Sequence, residues 1–135
     1  METTFLNGDV LLMQPRVESL ERGDVVVAKV GHIKVIKRVV GLPYDTVQIV
    51  DGVVLLNGVV LEEEYCEATH FAGVASEPYV LSDGEYFLMG DNRDGSEDSR
   101  VYGGVQIENI RGIVTHKIYP FNGFGKLING TSEDD

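Results

Sequence analysis

The sequence predicts an all-β protein, an antiparallel sheet with a small inserted β cap, and three observations support this fold class. Apolar residues occur in short runs rich in valine, which favours strands. Glycine is frequent, with 16 residues in 135, as expected where tight turns join strands. Two dipeptides, Asp51-Gly52 and Asn57-Gly58, stand between β-forming residues and are typical hairpin turns.

Three apolar runs define strands in the first part of the chain. Residues 10–13 follow a turn signal, residues 25–30 are strongly β-prone, and residues 34–40 form the third run. Side chains alternate between the two faces of a strand, so Lys37 is expected on the face opposite to Ile36. The Gly-Leu-Pro sequence that follows ends this strand.

The middle of the chain predicts a small cap inserted into a core domain. The two hairpin signals within residues 46–61 predict a short meander. An acidic run at residues 62–64 is interpreted as surface, and residues 65–85 show no regular periodicity. We therefore predict a β core from residues 1–45 and 84–130, with a cap from residues 46–83.

The last part of the chain returns to the core. Residues 86–90 are expected to form a buried strand, and residues 101–105 and 112–119 to form closing strands. The polar and acidic residues 131–135 are expected to be a disordered tail.

Composition excludes several classes of function. A formal charge of −11 repels nucleic acid and anionic membrane surfaces, so we expect neither as an electrostatic partner. Three histidines without metal-ligand spacing and one cysteine, Cys66, predict no metal site and no cofactor. No apolar run approaches the roughly 18 to 20 residues of a membrane-spanning helix, and no targeting segment is visible.

A polar run at residues 90–100 directly follows the predicted core strand. It holds two arginines, four acids and two serines, which can form a fixed network of charge-assisted hydrogen bonds. The pattern G-D-N-R-x-x-S-x-D-S-R resembles the last signature box of bacterial type I signal peptidases. Residues 37–45 resemble the K-R-x-x-G-L-P-G-D box of that family, and residues 22–27 its R-G-D box. With the Tyr-Pro-Phe sequence at 119–121, the resemblance covers nearly the whole chain.

The resemblance implies a serine–lysine dyad, in which a neutral lysine takes the proton of a serine hydroxyl. Burial among apolar groups disfavours a charged lysine. Six residues match functional positions of the family. Lys37 matches the general base, and Ser96 matches the serine that orients it. Asp98 with Arg100, and Arg38 with Asp91, match two supporting ion pairs. We expect Lys37 Nζ and Ser96 Oγ to lie within about 3.5 Å of each other.

The N-terminus resembles the nucleophile box S-M-x-P-T of the same family. Met1, Thr4 and Phe5 fall on this pattern, and Thr3 replaces its proline. The nucleophilic serine would stand directly before Met1. The resemblance therefore implies that the chain as given is inactive.

The resemblance also implies partners and a location. Signal peptides of exported preproteins would bind as extended strands, with small residues before the cut, and we expect Met1, Phe5, Leu11 and Ile36 to line their binding site. The family is anchored by an N-terminal membrane helix that holds this domain on the extracytoplasmic face. Without that helix, the chain itself is expected to be soluble.

Besides Thr3, the chain departs from the family at Tyr44, and two alternative interpretations remain. Tyr44 replaces the glycine of G-L-P-G-D, so its backbone is expected to be unusual. The chain could instead be a catalytically dead homologue that binds extended peptides. It could also be a relative of the self-cleaving SOS-type repressors, which share the dyad.

Overall fold

The structure is a computed structural model that describes residues 2–6, 9–14, 19–63, 68–117, 125–128 and 131–134, with side chains described for 19–63 and 68–114. Strands account for most of the regular structure. In chain order they are β1 (Glu2–Leu6), β2 (Asp9–Gln14), β3 (Val25–Val30), β4 (Ile33–Gly41), β5 (Thr46–Val50), β6 (Val53–Leu56), β7 (Val59–Val60), β8 (Tyr79–Val80), β9 (Glu85–Met89), β10 (Val105–Gln106), β11 (Ile110–Lys117), β12 (Gly125–Ile128) and β13 (Thr131–Asp134).

Nine of these strands form the main sheet. Its order is β1-β2-β11-β3-β4-β12-β13, and β9 pairs with β4 on one side and β10 on the other. Every strand pairing in the described part of the chain is antiparallel. The predicted all-β, antiparallel fold class is confirmed. No helix among the described residues is long and apolar enough to cross a membrane.

The other four strands form a second sheet in the order β7-β6-β5-β8. Its turns at Asp51-Gly52 and Asn57-Gly58 have positive φ at both central residues, as the hairpin signals predict (51° and 81°, then 53° and 82°). These strands lie between residues 46 and 80, within the segment expected to form the cap. We call them the small sheet.

Two apolar clusters hold the sheets together. One lies within the main sheet and includes Val26, Val35, Val39 and Leu88. The other joins the two sheets, because side chains of β4 and β9 pack there against side chains of the small sheet. Its members are Val40, Val47, Ile49, Val54, Leu56, Ala75, Leu81, Phe87 and Met89. This shared core fixes the small sheet against the strands that bear the candidate site.

The predicted strand at 101–105 was wrong for its first four residues. Ser99–Tyr102 form a short helix, α1, and only Val105 and Gln106 are extended. The Asp98 side chain accepts a hydrogen bond from the backbone N–H of Arg100, which starts the helix, and Gly103 with φ of 81° ends it. The capping side chain outweighs the β propensity of the residues that follow.

The structure also differs from the predicted disorder of the tail over residues 131–134, whereas residue 135 lies outside the described residues. Thr131–Asp134 form β13, which pairs with β12 in an antiparallel ladder. The sequence Asn129-Gly130 between the two strands is a hairpin signal. Local turn chemistry therefore predicts this pair better than the polar composition of the tail.

Candidate active site

Lys37 lies in the middle of β4, and its side chain is fully buried. By strand alternation it shares a face of β4 with Val35 and Val39, both members of the main-sheet cluster. Its partner on β3 is Val26, which is also fully buried. Lysine is almost never fully buried unless its amine has a bonding partner, so a partner is expected for the amine of Lys37.

Ser96 is a hydrogen-bond partner of the buried amine. Lys37 Nζ donates a hydrogen bond to Ser96 Oγ at 2.8 Å, and the bond is buried. The predicted proximity of these two atoms is confirmed. The two residues come from different elements, β4 and the segment between β9 and α1, so the sheet brings the two sequence boxes together.

Gly90 is the third residue of this cluster. A Cβ atom on Gly90 would lie 2.6 Å from Ser96 Cβ and 3.4 Å from Lys37 Nζ. The first distance is too short for any side chain at this position. Only glycine therefore leaves space for Ser96 to approach Lys37 from this side.

The predicted Asp98–Arg100 ion pair holds the segment that carries Ser96. Both side chains are fully buried, and Arg100 Nε lies 2.8 Å from Asp98 Oδ1. Asp98 Oδ2 also accepts from the backbone N–H of Gly90 at 3.0 Å, and Arg100 Nη2 donates to the carbonyl of Ser96 at 3.2 Å. The pair thus fixes both Gly90 and Ser96.

The predicted Arg38–Asp91 pair is also present. Two hydrogen bonds of 2.9 and 2.8 Å join the guanidinium to the carboxylate, and Arg38 Nη1 donates to the carbonyl of Gly23 at 2.9 Å. Arg38 therefore connects β4 to the end of β9 and to the turn before β3.

Two ion pairs of arginine were missed in the sequence. Arg22 binds Asp45 through both carboxylate oxygens, which joins the R-G-D box to the G-L-P-x-D box. Arg93 binds Glu63, and both side chains are nearly inaccessible, with 1% and 8% exposure. Glu63 is therefore not a surface residue, contrary to the interpretation of the acidic run. No local signal in the sequence marks the Arg93–Glu63 pair, because its two residues stand 30 positions apart.

Asp45 has a shifted pKa. Burial raises the pKa of its carboxyl, but hydrogen bonds from the Leu42 N–H, the Asn57 amide and Arg22, together with the charge of Arg22, outweigh this and lower it overall. The ionised carboxylate is therefore stabilised in the folded protein.

The four residues expected to bind substrate are only partly described. Met1 and the side chains of Phe5 and Leu11 lie outside the described residues, although the backbones of Phe5 and Leu11 belong to the paired strands β1 and β2. Ile36 lies on β4 and is fully buried. Alternation places it on the face opposite to Lys37. Their role in binding stays a prediction.

Comparison with known proteins relates this site to one family. Residues 1–119 match the family model described as signal peptidase, peptidase S26. The chain is 32% identical over 145 residues to a probable signal peptidase I-2 of Synechocystis, across 99% of this chain and 66% of the relative. It is 34% identical over 120 residues to a signal peptidase I of Leptolyngbya laminosa, across 89% of this chain and 56% of the relative.

A solved structure shows the same relationship. The crystal structure of a signal peptidase I from Enterococcus faecalis superposes with a TM-score of 0.58 and 27% identity, across 74% of this chain and all of that one. The chain spans between about half and two thirds of the two relatives above, 56% and 66% of their lengths.

Proposed function

The chain belongs to the peptidase S26 family of signal peptidases, and we propose that it removes signal peptides from exported preproteins with a serine–lysine dyad in which Lys37 is the general base. The observation that carries this proposal is the buried hydrogen bond of 2.8 Å between Lys37 Nζ and Ser96 Oγ. Each residue of this pair stands at the matching position of a different family box.

The chemistry requires a lysine that can take a proton from a serine hydroxyl. Lys37 is fully buried, beside Val35 and Val39 on its face of β4 and opposite Val26 of β3. The nearby ionised side chains are bound in pairs, Asp98 with Arg100, Arg38 with Asp91 and Arg93 with Glu63. In this proposal Ser96 orients the amine, and the pairs support the segment that holds Ser96.

The nucleophile of the proposed reaction is a serine directly before the position of Met1. This proposal rests on the match of Met1, Thr4 and Phe5 to the S-M-x-P-T box. An N-terminal extension that ends in serine would complete the motif. In the longer membrane-anchored protein that the family implies, the domain would act at the extracytoplasmic face on extended peptides with small residues before the cut.

A matched pair of extended proteins tests the proposal. Both carry the same N-terminal extension, which ends in serine in one protein and in alanine in the other. The substrate is a signal peptide with alanine at the first and third positions before the cut, presented in detergent. We expect cleavage only by the serine form, because the covalent step needs a hydroxyl. Equal activity of the two forms, or none in either, would contradict the proposal.

A further inference from the structure

Arg93 forms a buried junction between the segment that carries Ser96 and the chain that follows the small sheet. Its guanidinium donates from Nε to the carbonyl of Gly90 at 2.7 Å. It donates from Nη1 and Nη2 to the two carboxylate oxygens of Glu63, at 2.8 and 2.5 Å. Nη1 also donates to Thr69 Oγ1 at 3.1 Å.

The partners of Arg93 come from distant parts of the sequence. Glu63 and Thr69 precede Arg93 by 30 and 24 residues, whereas Gly90 is its near neighbour in the chain. One guanidinium therefore joins the end of β9 to two points on the segment after β7. Thr69 is 1% exposed, so its hydroxyl meets Arg93 away from solvent.

The carbonyl held by Arg93 belongs to Gly90, which lies beside Ser96 and near Lys37. Gly90 packs against Ser96 and approaches Lys37, with no space for a side chain between them. A shift of the Gly90 peptide therefore changes the packing against which Ser96 lies beside Lys37 Nζ. Asp98 fixes the N–H of the same residue, so its backbone is held at both polar groups.

Because the Glu63–Arg93 pair is buried, loss of the Glu63 charge is expected to displace Arg93. If Glu63 loses its charge, Arg93 is left as a buried cation whose carboxylate partner is gone, which favours movement of the guanidinium toward water. That movement would release the Gly90 carbonyl. The exposed pair of His70 and Asp94, with side chains 72% and 65% exposed, joins the same two segments without this constraint.

We propose that Glu63 and Thr69 are positioning residues, which act through Arg93 to hold Gly90 and thereby keep Ser96 against the lysine base. The inference rests on the proposed function, since it assigns these two residues a part in that reaction. In this proposal, the segment after β7 that holds Glu63 and Thr69 supports the active site. In this role both residues act through Arg93 and Gly90.

The test uses Glu63→Gln and Thr69→Val in the serine-extended protein, with Glu62→Gln as the matched control for loss of an acid in the same run. We expect kcat to fall by at least about tenfold in both test variants, because the base and its partner are misplaced. KM should stay within about twofold, because the substrate site is unchanged. Thr69→Val removes only the hydrogen bond that the Thr69 hydroxyl accepts from the Arg93 guanidinium and nearly keeps the side-chain volume, so it remains informative if Glu63→Gln fails to fold.

Amide hydrogen exchange separates positioning from general stabilisation. In the positioning role, Gly90 loses protection in both variants, whereas amides of β3 and β4 keep theirs. Uniform loss of protection across the sheet, or full kcat with unchanged exchange at Gly90, would overturn the inference. If the serine-extended parent is inert, the proposed function fails, and exchange at Gly90 alone then decides whether Glu63 and Thr69 hold this residue.

Discussion

Gly90 and Ser96 are so close that the structure leaves no space for a methyl group between them, since a Cβ on Gly90 would lie 2.6 Å from Ser96 Cβ. The same Cβ would lie 3.4 Å from Lys37 Nζ. The absence of a side chain at Gly90 thus leaves the space in which Ser96 approaches Lys37.

Gly90→Ala should therefore lower kcat of the serine-extended protein by at least about tenfold, because the added methyl displaces Ser96 from Lys37. Circular dichroism should show a folded protein. In a Ser96→Ala background the same change should cost less, since part of the clash is gone. Additive losses in the double variant would show that Gly90 acts on something other than Ser96.

Asp98→Ala should destabilise the fold by about 3 to 5 kcal/mol, because it leaves Arg100 as a buried cation without its carboxylate. Urea denaturation measures the change in the free energy of unfolding. Asp94→Asn is the control, because its pair with His70 is exposed, and it should change stability by less than about 1 kcal/mol. Similar losses in the two variants would contradict a special role for the buried pair.

Tyr44 has φ of 72°, which confirms the unusual backbone expected from the glycine of the family box. Tyr44→Gly should raise Tm by about 2 to 4 °C, since glycine adopts this conformation without strain although it is more flexible when unfolded. Most of the tyrosine side chain is exposed, so little packing is lost. Tyr44→Ala keeps a Cβ and should give no such gain. A lower Tm for the glycine variant would show that the tyrosine side chain outweighs the backbone strain.

Acid should destabilise the protein partly through Asp45. The pKa of its carboxyl is lowered in the folded state: burial acts to raise it, but the hydrogen bonds from Leu42, Asn57 and Arg22 and the charge of Arg22 prevail. A depressed folded pKa contributes stability above the unfolded value of about 3.9, and this contribution is lost as the pH falls through the folded value.

The free energy of unfolding measured between neutral pH and about pH 3 should therefore decrease less in Asp45→Asn than in the wild type. Part of the decrease should remain, because the pKa of Glu85 is also lowered. There too burial raises the pKa, and hydrogen bonds from Ser82, Tyr79 and Gly104 outweigh it. An identical pH dependence in Asp45→Asn and wild type would contradict the assigned shift.

Local signals predicted much of this fold. The hairpins at Asp51-Gly52 and Asn57-Gly58 and the strand around Lys37 follow from turn chemistry and apolar runs of a few residues. The helix at Ser99–Tyr102 was missed because a side-chain cap from Asp98 decides it. Strand propensity takes no account of a helix cap made by a side chain.

Of the contacts at the candidate site, some were predicted from the sequence and others were not. Lys37, Ser96 and the pairs Arg38–Asp91 and Asp98–Arg100 were expected from motif positions, and their contacts are present. The partnership of Glu63 with Arg93 was not expected. It joins residues 30 positions apart. Only the packing of the segment after the small sheet against the end of β9 reveals it.

The measurement that tests the central claim most directly is cleavage of a signal peptide by the serine-extended protein and its Lys37→Ala and Lys34→Ala variants. Both lysines lie on β4, but Lys37 is buried against Ser96 and Lys34 is exposed. Lys37→Ala should lower kcat by at least about 100-fold, as loss of a general base does, and Lys34→Ala should keep kcat within about twofold. Full activity of Lys37→Ala, in a parent that cleaves, would contradict the assignment of Lys37 as the base.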